Sequence, residues 1–130
     1  MTALRKPMVQ AALLLLALQV AHTVDHLIGH PSDAIGQIPG YLGYVTNLGI
    51  LFLAWRDDRN APLAAVAVGL LTAGGLVAIH LAPHWGVLSD PYTELSLPFV
   101  SWAIVFANIG AALWLAYLGF RGLRTAPQVA

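Results

Sequence analysis

Four long runs of apolar residues, separated by short polar segments, make up most of this chain. They cover about 8–28, 41–55, 62–82 and 98–120. Three of these runs reach the ~20 residues that a helix needs to cross ~30 Å of hydrocarbon. The second is shorter, and we expect its helix to begin near Ile38, with Pro39 in the first turn, where a missing N–H is harmless. Strands are not expected, because the runs lack a two-residue period and an open sheet cannot satisfy its backbone in lipid.

The composition indicates that lipid, and not water, surrounds the outer surface of this protein. Apolar residues make up 58% of the 130 residues and charged residues only 9%. A soluble protein of this size is mostly surface, and so few charges would not keep that surface in water. The sequence therefore predicts an all-α integral membrane protein, with residues 1–130 forming a single four-helix transmembrane bundle whose first partner is the lipid bilayer.

The basic residues predict the orientation of the bundle. All six lysine and arginine residues fall on one side of a four-span arrangement: Arg5, Lys6, Arg56, Arg59, Arg121 and Arg124. The positive-inside rule places that side in the cytoplasm, with both termini. All five histidines fall on the opposite side. We expect a multi-pass protein of the cell (plasma or inner) membrane. A competing interpretation is that Arg5, Lys6 and the following apolar run form a cleaved signal peptide.

The two halves of the chain carry similar motifs in the same order. Each has HLxxH, then SD, then Asn-aliphatic-Gly, then Leu-Ala-aromatic, and finally arginine. This order predicts that 8–56 and 62–121 are duplicated helical hairpins, related by a pseudo-two-fold axis along the membrane normal. The alternative is two unrelated hairpins that both carry interfacial histidines.

Polar residues on the first helix recur every three or four positions. Gln19, His22, His26 and His30 share one face, and Asp25 lies beside it. Polar groups at membrane depth usually face the bundle interior or a wet cavity. We therefore predict a polar funnel lined by Gln19, Asn47 and Asn108, which opens outward and narrows at Gln19 and Asn108.

The histidines are candidate ligands for a metal or a haem. Imidazole and carboxylate suit Zn, Cu or Fe, and the chain has no cysteine. The candidate metal ligands are His22, Asp25, His26, His30, His80 and His84. Alternatively, His22 or His26 on one side and His80 on the other would hold haem b by its two axial positions. Pro83 disrupts helical backbone between His80 and His84, so these two side chains are less suited to bind one metal ion from the same face of a helix.

Other functions remain open at this point. The histidines would also suit a pH-sensing or assembly subunit that binds other membrane subunits. A small channel or transporter could use the funnel, as a homo-oligomer because four helices leave little lumen. His30 and His84, next to prolines, are equally typical of solvated interfacial histidines. Nucleic-acid binding has no support, since the chain lacks a basic patch beyond the topology signal.

Overall fold

The computed structural model describes residues 2–29 and 37–125 of the chain. These residues form four long helices, with one π-helical turn and one short 3-10 helix between the third and the fourth. The elements are α1 (Thr2–Gly29), α2 (Ile38–Trp55), α3 (Ala61–Leu76), the π turn (Val77–Leu81), the 3-10 helix (Tyr92–Glu94) and α4 (Phe99–Thr125). No strand occurs within the described ranges.

The predicted all-α fold is confirmed, and four helices are long and apolar enough to cross a membrane. The helix α2 begins at Ile38, with Pro39 in its first turn, as expected. Two helices extend beyond their apolar runs: α1 begins at Thr2, and α4 continues to Thr125. The extension is physically reasonable because basic residues favour helix as well as most apolar ones do, so a helix need not end where hydrocarbon does.

The four helices form a ring in which α1 contacts α2 and α4, and α3 contacts α4 and α2. Small residues bring α3 and α4 especially close together. A Cβ atom added at Gly119 would lie 2.5 Å from the carbonyl oxygen of Pro62, and one added at Gly69 would collide with the backbone of Ala112. Large apolar side chains such as Leu71 and Phe99 cover the outside of the ring. An apolar exterior around a core of small residues is the arrangement that lipid favours.

The two buried asparagines do not follow the predicted pseudo-two-fold relation. Asn47 of α2 donates to the carbonyl oxygen of Ala12 at 3.2 Å, and Asn108 of α4 donates to that of Leu18 at 3.0 Å. Both acceptors lie on α1, whereas a two-fold axis would send the bond from Asn108 to α3. The duplication of the hairpins stays a prediction from the sequence motifs.

The end of α3 is widened into the π turn. The N–H of Ala82 donates to the carbonyl of Val77 at 3.0 Å, five residues back. Pro83 disfavours helical backbone at the preceding residue, and Ala82 is accordingly extended, with φ −76° and ψ 153°. Single π turns are frequent at functional sites. Here the turn contains His80, whose side chain is buried in the bundle.

Candidate metal centre

Three of the predicted ligands converge at one end of the bundle. His22 and His26 lie one turn apart on α1, and His80 reaches them from the π turn. The Nε2 atoms of His22 and His80 are 3.1 Å apart, and each of the three rings offers a nitrogen within 4.8 Å of the others. Nitrogens around a tetrahedral ion with ~2.1 Å bonds are separated by about 3.4 Å. The first pair thus already has nearly the spacing that a shared metal requires.

Asp90, in the connection between α3 and α4, orients two of these rings. Its backbone carbonyl lies 3.1 Å from Nδ1 of His80. A carbonyl can only accept, so Nδ1 carries the proton, and Nε2 of the neutral ring presents its lone pair towards His22. The carboxylate of Asp90 lies 3.6 Å from Nδ1 of His26. Metal-binding histidines commonly donate their second nitrogen to a carbonyl or carboxylate, as Nδ1 of His80 does here, whereas the contact of Asp90 with His26 is within ion-pair distance only.

Tyr92 closes the cluster from the 3-10 helix. Its side chain is fully buried, its ring centroid lies 4.6 Å from that of His80, and its hydroxyl is 3.2 Å from Nε2 of His26. Burial raises the pKa of Tyr92, and the negative charges of Asp25 and Asp90 raise it further. The residue therefore stays a neutral phenol, and its hydroxyl is hydrogen-bonded to Nε2 of His26. A metal bound at that nitrogen would displace this hydrogen bond and leave the phenol oxygen beside the ion.

The remaining predicted ligands lie apart from the three histidines. Oδ1 of Asp25 accepts a 3.0 Å hydrogen bond from Ser101 of α4, while Oδ2 is buried without a hydrogen-bond partner among the described residues. His84 is exposed in the loop, where its Nδ1 lies 3.2 Å from Oγ of Ser89. It is separated from His80 by the end of the helix at Leu81. His30 lies outside the described residues.

Polar side chains of the predicted funnel are joined by hydrogen bonds near the histidines, while the funnel itself stays a prediction. Nδ2 of Asn47 lies 3.2 Å from Oε1 of Gln19, and the hydroxyl of Tyr44 donates to the Gln19 carbonyl at 3.0 Å. Gln19 and Asn108 line a cavity of about 700 Å3 that also includes all three histidines in its wall. Asn47 supports this wall through Gln19.

Sequence reasoning missed Asp90 and Tyr92 as members of the site. In the sequence, Asp90 is one of several acidic residues predicted to lie at the same end of the bundle as the histidines, and nothing distinguishes it from the others. Tyr92 is one of several aromatic residues in the sequence, and nothing in its position predicts that its side chain is fully buried against His26 and His80. Neither residue lies on a long helix, so helical periodicity gives no signal for either.

The arrangement fits a single ion better than haem b. Axial imidazoles on a haem place their nitrogens on opposite faces of the porphyrin, about 4 Å apart for ~2 Å bonds. Between His22 and His80 that separation is 3.1 Å, and the rings of His26 and Tyr92 pack around His80 at centroid distances of 5.3 and 4.6 Å. A porphyrin would have to displace these neighbours, whereas an ion would not.

The chain matches no known family model, no curated protein and no solved structure. Its function is therefore inferred from the geometry of the histidine cluster.

Proposed function

We propose that this protein binds one transition-metal ion through His22, His26 and His80. The observation that carries the proposal is the 3.1 Å approach of Nε2 of His22 to Nε2 of His80, with the His80 tautomer fixed by the carbonyl of Asp90. With Nε2 of His80 as acceptor, Nε2 of His22 is the donor, and an ion between the two nitrogens would take the place of that hydrogen. Without one, they are joined by a single hydrogen bond.

Zinc and copper are the ions that this ligand set suits best. The described residues bring three imidazoles together without a carboxylate in the group, and the sequence contains no cysteine. Imidazole is a good ligand for Zn, Cu, Fe and Ni, and three histidines leave at least one coordination position open. An ion with an open position can polarise a bound molecule or activate water. The nearby Tyr92 hydroxyl is placed to hydrogen-bond to such a molecule.

The proposed test is metal loading of the purified protein. Protein stripped with a chelator, reconstituted in lipid and dialysed against Co2+, Zn2+ or Cu2+ is expected to retain about one equivalent of metal. Cobalt should give visible d–d bands of a low-coordinate nitrogen site, because three histidines and one further ligand make a tetrahedral field. Retention of no metal, or only non-stoichiometric retention removed by a brief chelator wash, would overturn the proposal.

We further propose that the bundle lies in the cell membrane with this site at its extracytoplasmic end. The support is the segregation of charge: Arg56 and Arg59 lie in the turn between α2 and α3, at the opposite end from His22 and His80.

Single cysteines test this orientation cleanly, because the chain contains none. Cysteine is introduced at Arg59, or at the equally exposed Thr93 in the connection between α3 and α4. With intact cells, we expect an impermeant thiol reagent to label only the Thr93→Cys variant, and both variants after permeabilisation. Labelling of Arg59→Cys alone in intact cells would invert the orientation.

A further inference from the structure

The start of α1 and the end of α2 meet at the end of the bundle opposite the histidines. Between them lies a surface recess of about 330 Å3, lined by Arg5 of α1, by Trp55 as the last residue of α2 and by the following Arg56. All three residues are exposed, so a ligand in the recess can reach the two guanidinium groups and the indole directly. Two cations and an aromatic ring around one recess are suited to an anion.

The two positive charges of the recess are not neutralised by acidic neighbours. Neither Arg5 nor Arg56 forms an ion pair with a carboxylate of the described residues. The guanidinium of Arg56 lies instead over the ring of Phe52, with Cζ 5.4 Å from the ring centroid. Asp58, two residues further on, accepts a 2.8 Å hydrogen bond from the backbone of its own turn. Both charges are therefore available to a ligand.

The residues around the recess are those of a membrane interface. Phe52 and Trp55 are both exposed on the outside of a helix that is long and apolar enough to cross a membrane. In a bilayer, tryptophan is enriched at the boundary between hydrocarbon and head groups, and arginine near the end of a helix extends towards the same boundary. A bundle inserted in a membrane would therefore hold this recess at the level of the lipid phosphates.

We infer that the recess binds the phosphate of an anionic phospholipid between Arg5 and Arg56, with the acyl chains on the side of Phe52. Guanidinium donates parallel N–H groups to phosphate oxygens, and two such groups from different helices can bind one phosphate together. Phosphatidylglycerol suits this recess better than phosphatidylcholine, because choline places a cation beside the same phosphate. The inference rests on the proposed insertion of the bundle in a membrane and does not require the metal ion.

Two pairs of arginines provide matched double variants. Arg5→Gln/Arg56→Gln removes both cations of the recess and retains polar side chains. Arg121→Gln/Arg124→Gln removes the same number of charges from the last two turns of α4, where both arginines are exposed. Each pair includes one arginine that lies over an aromatic ring four residues earlier, so the two double variants also lose the same kind of local contact.

The probe is dioleoylphosphatidylglycerol, and dioleoylphosphatidylcholine is the zwitterionic comparison. Delipidated protein in dodecyl maltoside is titrated with each lipid, and native mass spectrometry counts the lipids bound. We expect the wild type to bind one phosphatidylglycerol at least about tenfold more tightly than phosphatidylcholine. Its affinity for phosphatidylglycerol should fall at least about tenfold in Arg5→Gln/Arg56→Gln, since basic residues near a head group attract anionic lipid, and less than about twofold in Arg121→Gln/Arg124→Gln. If the recess double variant does not elute as a single species, its two single variants carry the test, each with a loss of about threefold expected.

Equal affinity for the two lipids would overturn the inference, and so would an equal loss in the two double variants, because attraction to the basic end of the bundle in general would then explain binding. Displacement of the lipid by excess inorganic phosphate would also overturn it, since the recess would then be a site for free anions.

Zinc binding by the same preparations distinguishes this inference from the proposed function. If zinc binds but the lipid preference is absent, the inference fails and the metal site stands. If the lipid pattern is as expected but no zinc binds, the metal site fails and the lipid site stands. Absence of the protein from the membrane fraction of cells would overturn the membrane location and the lipid site together, and would leave the metal site untouched.

Discussion

Replacing His80 with alanine is expected to weaken zinc binding by more than about 100-fold. His80 is the only one of the three converging ligands that comes from the second half of the chain, and its Nε2 lies 3.1 Å from that of His22. Loss of even an outer partner of a metal ligand typically costs 10–100-fold, and loss of the ligand itself should exceed that range. Competition with a chromophoric chelator at constant pH measures the effect.

His84→Ala is the matched control, because it removes an imidazole four residues away from the same segment. His84 is exposed and lies apart from the cluster. Its replacement should leave both the zinc affinity and the stoichiometry unchanged. A loss of zinc in His84→Ala equal to that in His80→Ala would show that the histidines act as a loose surface cluster and would contradict the three-histidine site.

Replacing Asp90 with asparagine should weaken zinc binding by roughly 10–100-fold. The substitution removes the negative charge 3.6 Å from Nδ1 of His26, but it leaves the backbone carbonyl that bonds to His80. The loss therefore reports the contribution of the carboxylate to one ligand only. It is measured by the same chelator competition, and the cobalt spectrum shows whether the remaining site changes its coordination.

Glu94→Gln provides a control for the loss of one negative charge from this connection. The carboxylate of Glu94 accepts a 3.3 Å hydrogen bond from the backbone N–H of His84 and lies outside the histidine group. It should bind zinc like the wild type. If both amide variants weaken zinc binding equally, the effect is a general one of charge near the site, and the orienting role of Asp90 is wrong.

The helices, and the place of His22 and His26 in the site, were predictable because they depend on residues that are close together in the sequence. Hydrophobic length located three of the helices, Pro39 helped to locate the start of α2, and the spacing of His22 and His26 placed them on one face of α1. The approach of His80 to that face was also predicted, although the argument used a pseudo-symmetry that the asparagine bonds do not follow. The convergence has another cause in the structure, namely the π turn and the extended backbone before Pro83.

Asp90 and Tyr92 could not have been assigned from the sequence, because their roles depend on how the connection between α3 and α4 folds back over the bundle. The N–H of Asp90 donates to the carbonyl of Ile79 at 2.9 Å, which holds this connection against the end of the π turn. Such a contact has no periodic signature. Asp25 was predicted as a metal ligand because it lies beside the histidine face of α1 and because carboxylates bind the same metals as imidazoles. In the structure, Ser101 of α4 donates a hydrogen bond to this carboxylate. Because serine is uncharged, electrostatic reasoning from the sequence does not predict this pair.

If the protein binds the proposed ion, the origin of the three histidines in both hairpins would also couple metal occupancy to assembly of the chain. His22 and His26 belong to the first hairpin, and His80 belongs to the second. A ribosome-bound chain that has inserted only α1 and α2 holds an incomplete chelate, so the ion would bind tightly only after α3 has packed. Once bound, the ion would act as a reversible cross-link between the hairpins. By mass action, a ligand at 1,000 times its Kd stabilises the folded state by about 4 kcal/mol. Metal supply would thus set how long the assembled bundle persists.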